Sequence, residues 1–319
     1  MCGVNRKRGY LLILLAAAIY STTEVSLKLL TTRLAPMQLT AERVLIGALV
    51  LMPFALKTLK ERGVKLTRSD WLYLFFVGFV AVSVHMVFLQ LAVMRIDASV
   101  AATLYSGSPV VSILLAHFIL HEPLRKHHLA ALGLMLLGIL AILDVKNLSL
   151  DLVGFACIMI STVGFGAYST LCKLRMARLG GVTVSSFALL IGALQMLAAL
   201  LLGRIEPIAA FYERIGLGIF ARVPLLSGFT PATVLALFYV GAIVAGVGFF
   251  LTAQITQDTS ATEASFVYLL KPIFATAFAF AVLREPILSN RIVGIVFYTA
   301  SSLCVAIPTL REIKKERTH

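Results

Sequence analysis

Residues 98–123 read ASVAATLYSGSPVVSILLAHFILHEP, and residues 261–286 read ATEASFVYLLKPIFATAFAFAVLREP. Aligned without a gap at an offset of 163, they share Ala98/Ala261, Ala101/Ala264, Tyr105/Tyr268, Pro109/Pro272, Ala116/Ala279, Leu120/Leu283, Glu122/Glu285 and Pro123/Pro286. Shared alanine or leucine is expected of any two apolar helices. A shared proline inside the run and a shared Glu-Pro at its end are not, so the stretches read as two copies of one unit. Gly78 and Gly241 keep the same offset. Upstream, Ile46-Gly47-Ala48-Leu49 recurs as Ile191-Gly192-Ala193-Leu194 at an offset of 145, where Lys28 also meets Lys173. The offsets differ by 18 residues, which marks an insertion in the second copy between its second and third helices.

Composition fixes the solvent in which these copies fold. Of 319 residues, 60% are hydrophobic and 13% charged, and the mean hydropathy is +0.96. Soluble domains average about 25% charged residues, so this chain cannot cover a water-facing surface. A bilayer-spanning helix needs roughly 20 apolar residues, and the apolar runs fall near 10–30, 36–57, 71–94, 98–120, 128–145, 152–173, 182–203, 231–254, 260–283 and 290–310. A soluble enzyme, a disordered chain and a disulfide-stapled module are excluded. Long continuous runs also exclude a β-barrel, whose strands alternate in short segments. The fold class is an all-α polytopic membrane protein with ten transmembrane helices. The repeats occupy residues 10–145 and 152–310, with an amphipathic insertion near 204–230. Each has five spans, and an odd number reverses orientation on duplication, giving inverted-topology repeats.

The net charge of +13 reads as topology. With the amino terminus inside, the inner loops and tails hold 17 Lys and Arg and the outer loops eight, so both termini are expected in the cytoplasm. Basic residues lack aromatic interleaving, and no nucleic-acid partner is expected. Cys2, Cys157, Cys172 and Cys304 have no metal-binding spacing and read as small apolar side chains. The first apolar run is too long for a signal-peptide core and carries Glu24 and Lys28. No metal site, cofactor or catalytic group is expected, for there is no HExxH, no Gly-x-Ser-x-Gly and no phosphate-cradling glycine loop.

Glu122-Pro123 and Glu285-Pro286, with Pro109 and Pro272 inside the helices before them and Lys28 and Arg43 in the first two helices, carry a family resemblance. The sequence resembles the drug/metabolite transporter superfamily in its ten-helix EamA-type branch, over about residues 10–310. The family commonly has a Trp-Gly-type pair in its first helix, where this chain reads Tyr20-Ser21-Thr22-Thr23-Glu24. The resemblance implies transport, usually export.

Several residues within the spans bear chemistry. Pro109 and Pro272 lie mid-helix, where proline removes a backbone donor and clashes with an upstream carbonyl, so both helices are expected to kink and act as hinges. Lys271 sits mid-span, where an ion facing lipid costs at least about 2.5–3.5 kcal/mol. It is expected either to bind a negative substrate group or to pair with Glu24 or Glu42. Glu24, Glu42 and His85 fall at one depth, with Glu24 a candidate proton carrier or ammonium receptor. Glu42 and Arg43 read as an intramembrane ion pair, and Tyr105, Tyr268, Ser108 and His85 as further substrate contacts. Each Glu-Pro is expected to end its helix, the glutamate capping neighbouring backbone. In the insertion, Ile208, Phe211, Tyr212, Ile215 and Ile219 follow helical spacing and suggest an amphipathic helix on the outer membrane surface.

These features together lead to an expected secondary active transporter of a small polar metabolite, an amino acid or related zwitterion. It would work by alternating access around a midplane site. Expected partners are the substrate, the lipid bilayer and protons as a candidate coupling ion, in a monomer or homodimer. The terminal Arg317-Thr318-His319 carries no organelle signal, so the plasma membrane is the expected location. The alternative is a flippase for a lipid or lipid precursor.

Overall fold

The computed structural model describes residues 6–143, 151–258 and 266–316, so Lys146, Ala261, Ala264 and Arg317-Thr318-His319 lie outside the described residues. Among the described residues, nine helices are long and apolar enough to cross a membrane. They are span 1 (Leu11–Leu30), span 2 (Pro36–Arg62), span 3 (Arg68–Val93), span 4 (Ala98–Leu120), span 5 (Lys126–Leu143), span 6 (Leu152–Leu179), span 7 (Gly181–Leu202), span 8 (Pro231–Thr252) and span 10 (Ser289–Ile307). Span 9 (Val267–Leu283) is a shorter apolar helix within the described residues. The chain is a polytopic α-helical membrane protein. Large apolar side chains such as Leu72, Phe76, Phe118 and Val296 point outward, as a lipid-facing surface requires. Spans 2 and 6 run on past their apolar stretches. Span 2 stops where Gly63 takes a left-handed φ of 62° and its N–H returns to the Lys60 carbonyl.

The repeat governs the packing. Span 2 lies on span 8 and span 3 on span 7, two contacts that the repeat interchanges. Spans 5 and 10, which are mates, pack on one another, and so do spans 2 and 7. Span 4 meets span 6 as span 9 meets span 1. The repeat glycines stand at the closest crossings. A Cβ on Gly47 would lie 2.7 Å from the Ala245 Cβ and 3.1 Å from the Gly241 carbonyl oxygen. A Cβ on its mate Gly192 would lie 2.5 Å from the carbonyl oxygen of Gly78, the mate of Gly241. Helix backbones can approach this closely only with no side chain between them. The four glycines found by sequence offset thus form two reciprocal seams.

The halves differ within spans 1 and 4. Span 1 is interrupted at Thr22 between Arg6–Ser21 and Thr23–Leu30. The hydroxyls of Ser21, Thr22 and Thr23 donate to the carbonyls of Ala17, Ile19 and Tyr20 at 2.6–2.7 Å, offering the backbone a competitor to its helical bonds. The corresponding part of span 6 is continuous. Span 4 breaks at Ser106-Gly107 and restarts with Ser108 and Pro109 in its first turn. Span 9, by contrast, runs through Pro272 from Phe266 to Phe278. The two prolines therefore sit differently, Pro109 in the first turn after a break and Pro272 inside a continuous helix. Ser106-Gly107-Ser108 is replaced in the second copy by Leu269-Leu270-Lys271, and glycine and serine concede helix where leucine holds it. In the insertion, Glu206–Arg214 forms a short helix with Phe211 exposed and Ala209 buried.

Candidate functional site

Spans 1, 2, 3, 4, 6, 8 and 9 line a small cavity of about 50 Å³ between the two halves. Tyr20, His85 and Tyr105 line it from the first half, and Phe165, Phe249 and Tyr268 from the second. These rings interlock. His85 stacks on Tyr105 with centroids 5.4 Å apart, Phe165 lies 5.3 Å from Tyr105, and Tyr268 is 5.9 Å from Phe165. His85 sits on the wide π-helical turn Val80–Met86, and its Nδ1 meets the Ser161 hydroxyl at 3.0 Å.

The charge of the cavity comes from three helices. Lys271 and Glu24 are 2% and 0% exposed, and Lys271 Nζ donates to Glu24 Oε1 at 2.6 Å. The same ammonium lies 4.1 Å from the centre of the Tyr105 ring, a cation–π distance. The break in span 1 helps to position the pair, because the freed Ser21 hydroxyl also donates to the Lys271 carbonyl at 3.1 Å. Desolvating two ions costs several kcal/mol each, offset by such a contact only when the geometry is close and the remaining valences are met. Here one valence is open, since Glu24 Oε2 has no partner.

Arg43 lines the same cavity from span 2 and is 3% exposed. The expected Glu42–Arg43 ion pair is absent among the described residues. Adjacent residues on a helix point about 100° apart. Arg43 turns inward on the Gly47 face, whereas half-buried Glu42 accepts from Gln38 Nε2 at 3.1 Å outside the cavity. Glu42 therefore stands outside the cavity that His85 lines. Ser108 is buried with its hydroxyl unpartnered and does not line the cavity, a second departure from the expected contacts. Lys271, Glu24, Tyr105, Tyr268 and His85 do come together. Phe165 and Phe249 went unseen in the sequence because phenylalanine in an apolar run carries no signal of its own.

Above and below the cavity, the repeat has built the same backbone turn twice. His121 and its mate Arg284 both adopt a left-handed conformation, with φ of 56° and 58°. The N–H groups of Glu122 and Glu285 then reach back to Ala116 and Ala279, each at 3.3 Å. The side chains part company after this point. Glu285 is buried and accepts from Ala98 N at 2.7 Å, Ser99 N at 3.1 Å, the Ser99 hydroxyl at 2.8 Å and Lys28 Nζ at 3.1 Å. It thereby caps span 4 of the other half, where a carboxylate meets free N–H groups and the positive end of the helix dipole. Glu122 is half exposed and lies 3.5 Å from Lys173 Nζ, the mate of Lys28. Among the described residues, the Glu285 side chain thus bridges to the other half's span 4, whereas the Glu122 side chain meets Lys173.

Comparison with known proteins follows the geometry. The chain matches the EamA-like transporter family twice, over residues 7–144 and 152–307. It is 33% identical over 306 residues to a protein of Clostridium kluyveri described as an uncharacterized transporter, covering 93% of this chain and 92% of that one. A Bacillus subtilis protein described as the uncharacterized transporter YoaV is 21% identical over 285 residues, covering 88% and 91%. One crystal structure superposes with a TM-score of 0.64 at 18% identity, covering 96% of this chain and 98% of the other, a likeness of fold.

Proposed function

The chain belongs to the EamA-like transporter family, and on that premise we propose a secondary active transporter that carries a small zwitterionic metabolite through the cavity between its halves. The observation that carries this reading is the buried Lys271–Glu24 pair, whose lysine stands on the wall of a cavity lined by both repeats. Ionisable groups inside a membrane are expensive and tend to mark a substrate or ion path. A zwitterion meets both signs there, and Glu24 Oε2 is open for an ammonium or a proton. The aromatic rings of Tyr105 and Tyr268 would hold the apolar body.

Movement in this reading is a rocking of one half against the other along the glycine seams, with the break in span 4 beside Pro109 as a hinge. Pro272 would transmit motion through an unbroken helix. The balance of basic residues supports placing both termini in the cytoplasm of a plasma membrane. That orientation puts Glu285 and its contacts with Ala98 and Ser99 on the outside and Glu122 on the inside. In the opposite state Glu122 would take up positions 261 and 262, which match Ala98 and Ser99 in register. The family resemblance favours export.

The test is counterflow in proteoliposomes. Vesicles preloaded with unlabelled amino acids are expected to accumulate the labelled form of a substrate, and Lys271→Met is expected to abolish the exchange. Exchange at the wild-type rate in Lys271→Met would refute a role for the pair in transport.

A further inference from the structure

The cavity holds two buried cations, Lys271 and Arg43, and Glu24 is the carboxylate that reaches the first. Lys271 takes Glu24 Oε1 at 2.6 Å. No hydrogen bond or ion pair joins Glu24 to Arg43 among the described residues. The Nε and one terminal nitrogen of Arg43 meet no acceptor of any kind. Buried polar groups are nearly always satisfied, and a guanidinium left open on a cavity wall calls for an anion. Glu42 does not supply it: its Oε1 accepts from Gln38, no contact joins it to Arg43 among the described residues, and it lies outside the cavity. The nearby His85 is occupied by Ser161 and carries no negative charge.

We propose that Arg43 receives the carboxylate of the substrate, a role that the sequence suggested for Lys271. Lys271 and Glu24 form an internally neutral pair whose second oxygen takes the substrate ammonium. The planar fork of a guanidinium matches a carboxylate with two parallel N–H donors, which the Lys271 ammonium, already engaged, does not offer. The Arg43 backbone carbonyl also lies against Gly241, 3.1 Å from where a Cβ there would stand. Charge neutralisation at Arg43 thus occurs in the seam between spans 2 and 8. This assignment rests on the zwitterion reading above and specifies which side chain recognises which end.

The experiment uses three probes with one isobutyl body: L-leucine, isocaproate, which lacks the amine, and isoamylamine, which lacks the carboxylate. Binding is read as a concentration-dependent thermal shift of the purified full chain, alongside counterflow of labelled leucine. Leucine and isocaproate are expected to bind the wild type, with affinity falling by about tenfold or more in Arg43→Gln. Isoamylamine is expected to bind Arg43→Gln as it binds the wild type. Arg43→Lys, which keeps the charge without the fork, is expected to recover part of the isocaproate affinity, a recovery that a purely structural arginine would not give. Equal isocaproate affinity in wild type and Arg43→Gln overturns the assignment, while wild-type counterflow would show that the transport reading survives it. A wild type that neither binds nor exchanges any of the three overturns the substrate class and the assignment with it.

Discussion

Glu285 and Glu122 occupy matching positions in the two copies, on matching backbone turns, yet their removal is expected to have unequal effects. Glu285→Ala deletes three hydrogen bonds to the start of span 4 and the contact with Lys28. Hydrogen bonds to a charged acceptor contribute about 1.5–3 kcal/mol each, and the Ala98 and Ser99 N–H groups would remain buried without a partner. Lys28 is 30% exposed, so its share is small. Allowing for partial rehydration of the helix end, Glu285→Ala is expected to destabilise the fold by about 2–4 kcal/mol. Glu122→Ala removes a 3.5 Å contact between two largely exposed side chains, for which about 0–1 kcal/mol is expected. The assay is equilibrium unfolding in mixed micelles, paired with labelling of a cysteine introduced at Val244 in the cavity, in a background without the native cysteines. Glu285→Ala is expected to speed labelling by an impermeant maleimide added from the Glu285 side, and Glu122→Ala is not. Equal losses of stability in the two variants, or unchanged labelling in Glu285→Ala, would refute the idea that one end is tied by this carboxylate.

Two further outcomes are expected. Lys271→Met strands the Glu24 carboxylate in the cavity and is expected to cost about 3–5 kcal/mol. The double variant Lys271→Met, Glu24→Gln is expected to recover much of that loss in the same unfolding assay, and simple additivity would show that the pair is not coupled. Outside the membrane, Arg222 bonds to Glu206 at 2.7 and 3.3 Å and holds its carboxyl below the usual range. A depressed folded value means that the contribution is complete above the unfolded value of about 4.3 and fades as pH falls through the folded one. Amide exchange in residues 204–222, corrected for its intrinsic pH dependence, is expected to lose protection as pH falls below the unfolded value; flat protection would remove Arg222–Glu206 as its cause.

Much of this architecture was legible in the sequence because duplication writes itself in register. Gly47, Gly192, Gly78 and Gly241 were picked out by offset alone, and the structure places all four at the two reciprocal crossings. The Glu-Pro pairs likewise marked helix ends. Legibility failed where a conclusion depended on the direction of a side chain around its helix. Glu42 and Arg43 are neighbours in sequence and of opposite sign, which suggested a pair, but helical phase sends them to different surroundings. That phase was available: Arg43 and Gly47 are four residues apart and share the face that packs on span 8. The target of Glu285 was not available, since nothing local links it to Ser99, 186 residues away.

The departures from symmetry in the cavity suggest why the repeat diverged there. Had the second copy kept Ser106-Gly107-Ser108, spans 4 and 9 would both break at the cavity and Lys271 would not exist. Had span 6 kept the acidic residue of span 1, where Ser169 stands in place of Glu24, two carboxylates would face the same small space. A symmetric cavity would offer each substrate group two equivalent receptors and could not fix its orientation. With the lysine on span 9 and the carboxylate and arginine on spans 1 and 2, the ion pair beside the cavity that bridges the halves among the described residues is Lys271–Glu24. In the proposed rocking motion, a ligand that neutralises Arg43 would therefore change the electrostatics of a contact between the two parts that move. The ends face the opposite requirement. A carrier that alternates must be able to close at either side, and there the repeat has kept its lysine, its glutamate and its left-handed turn in both copies.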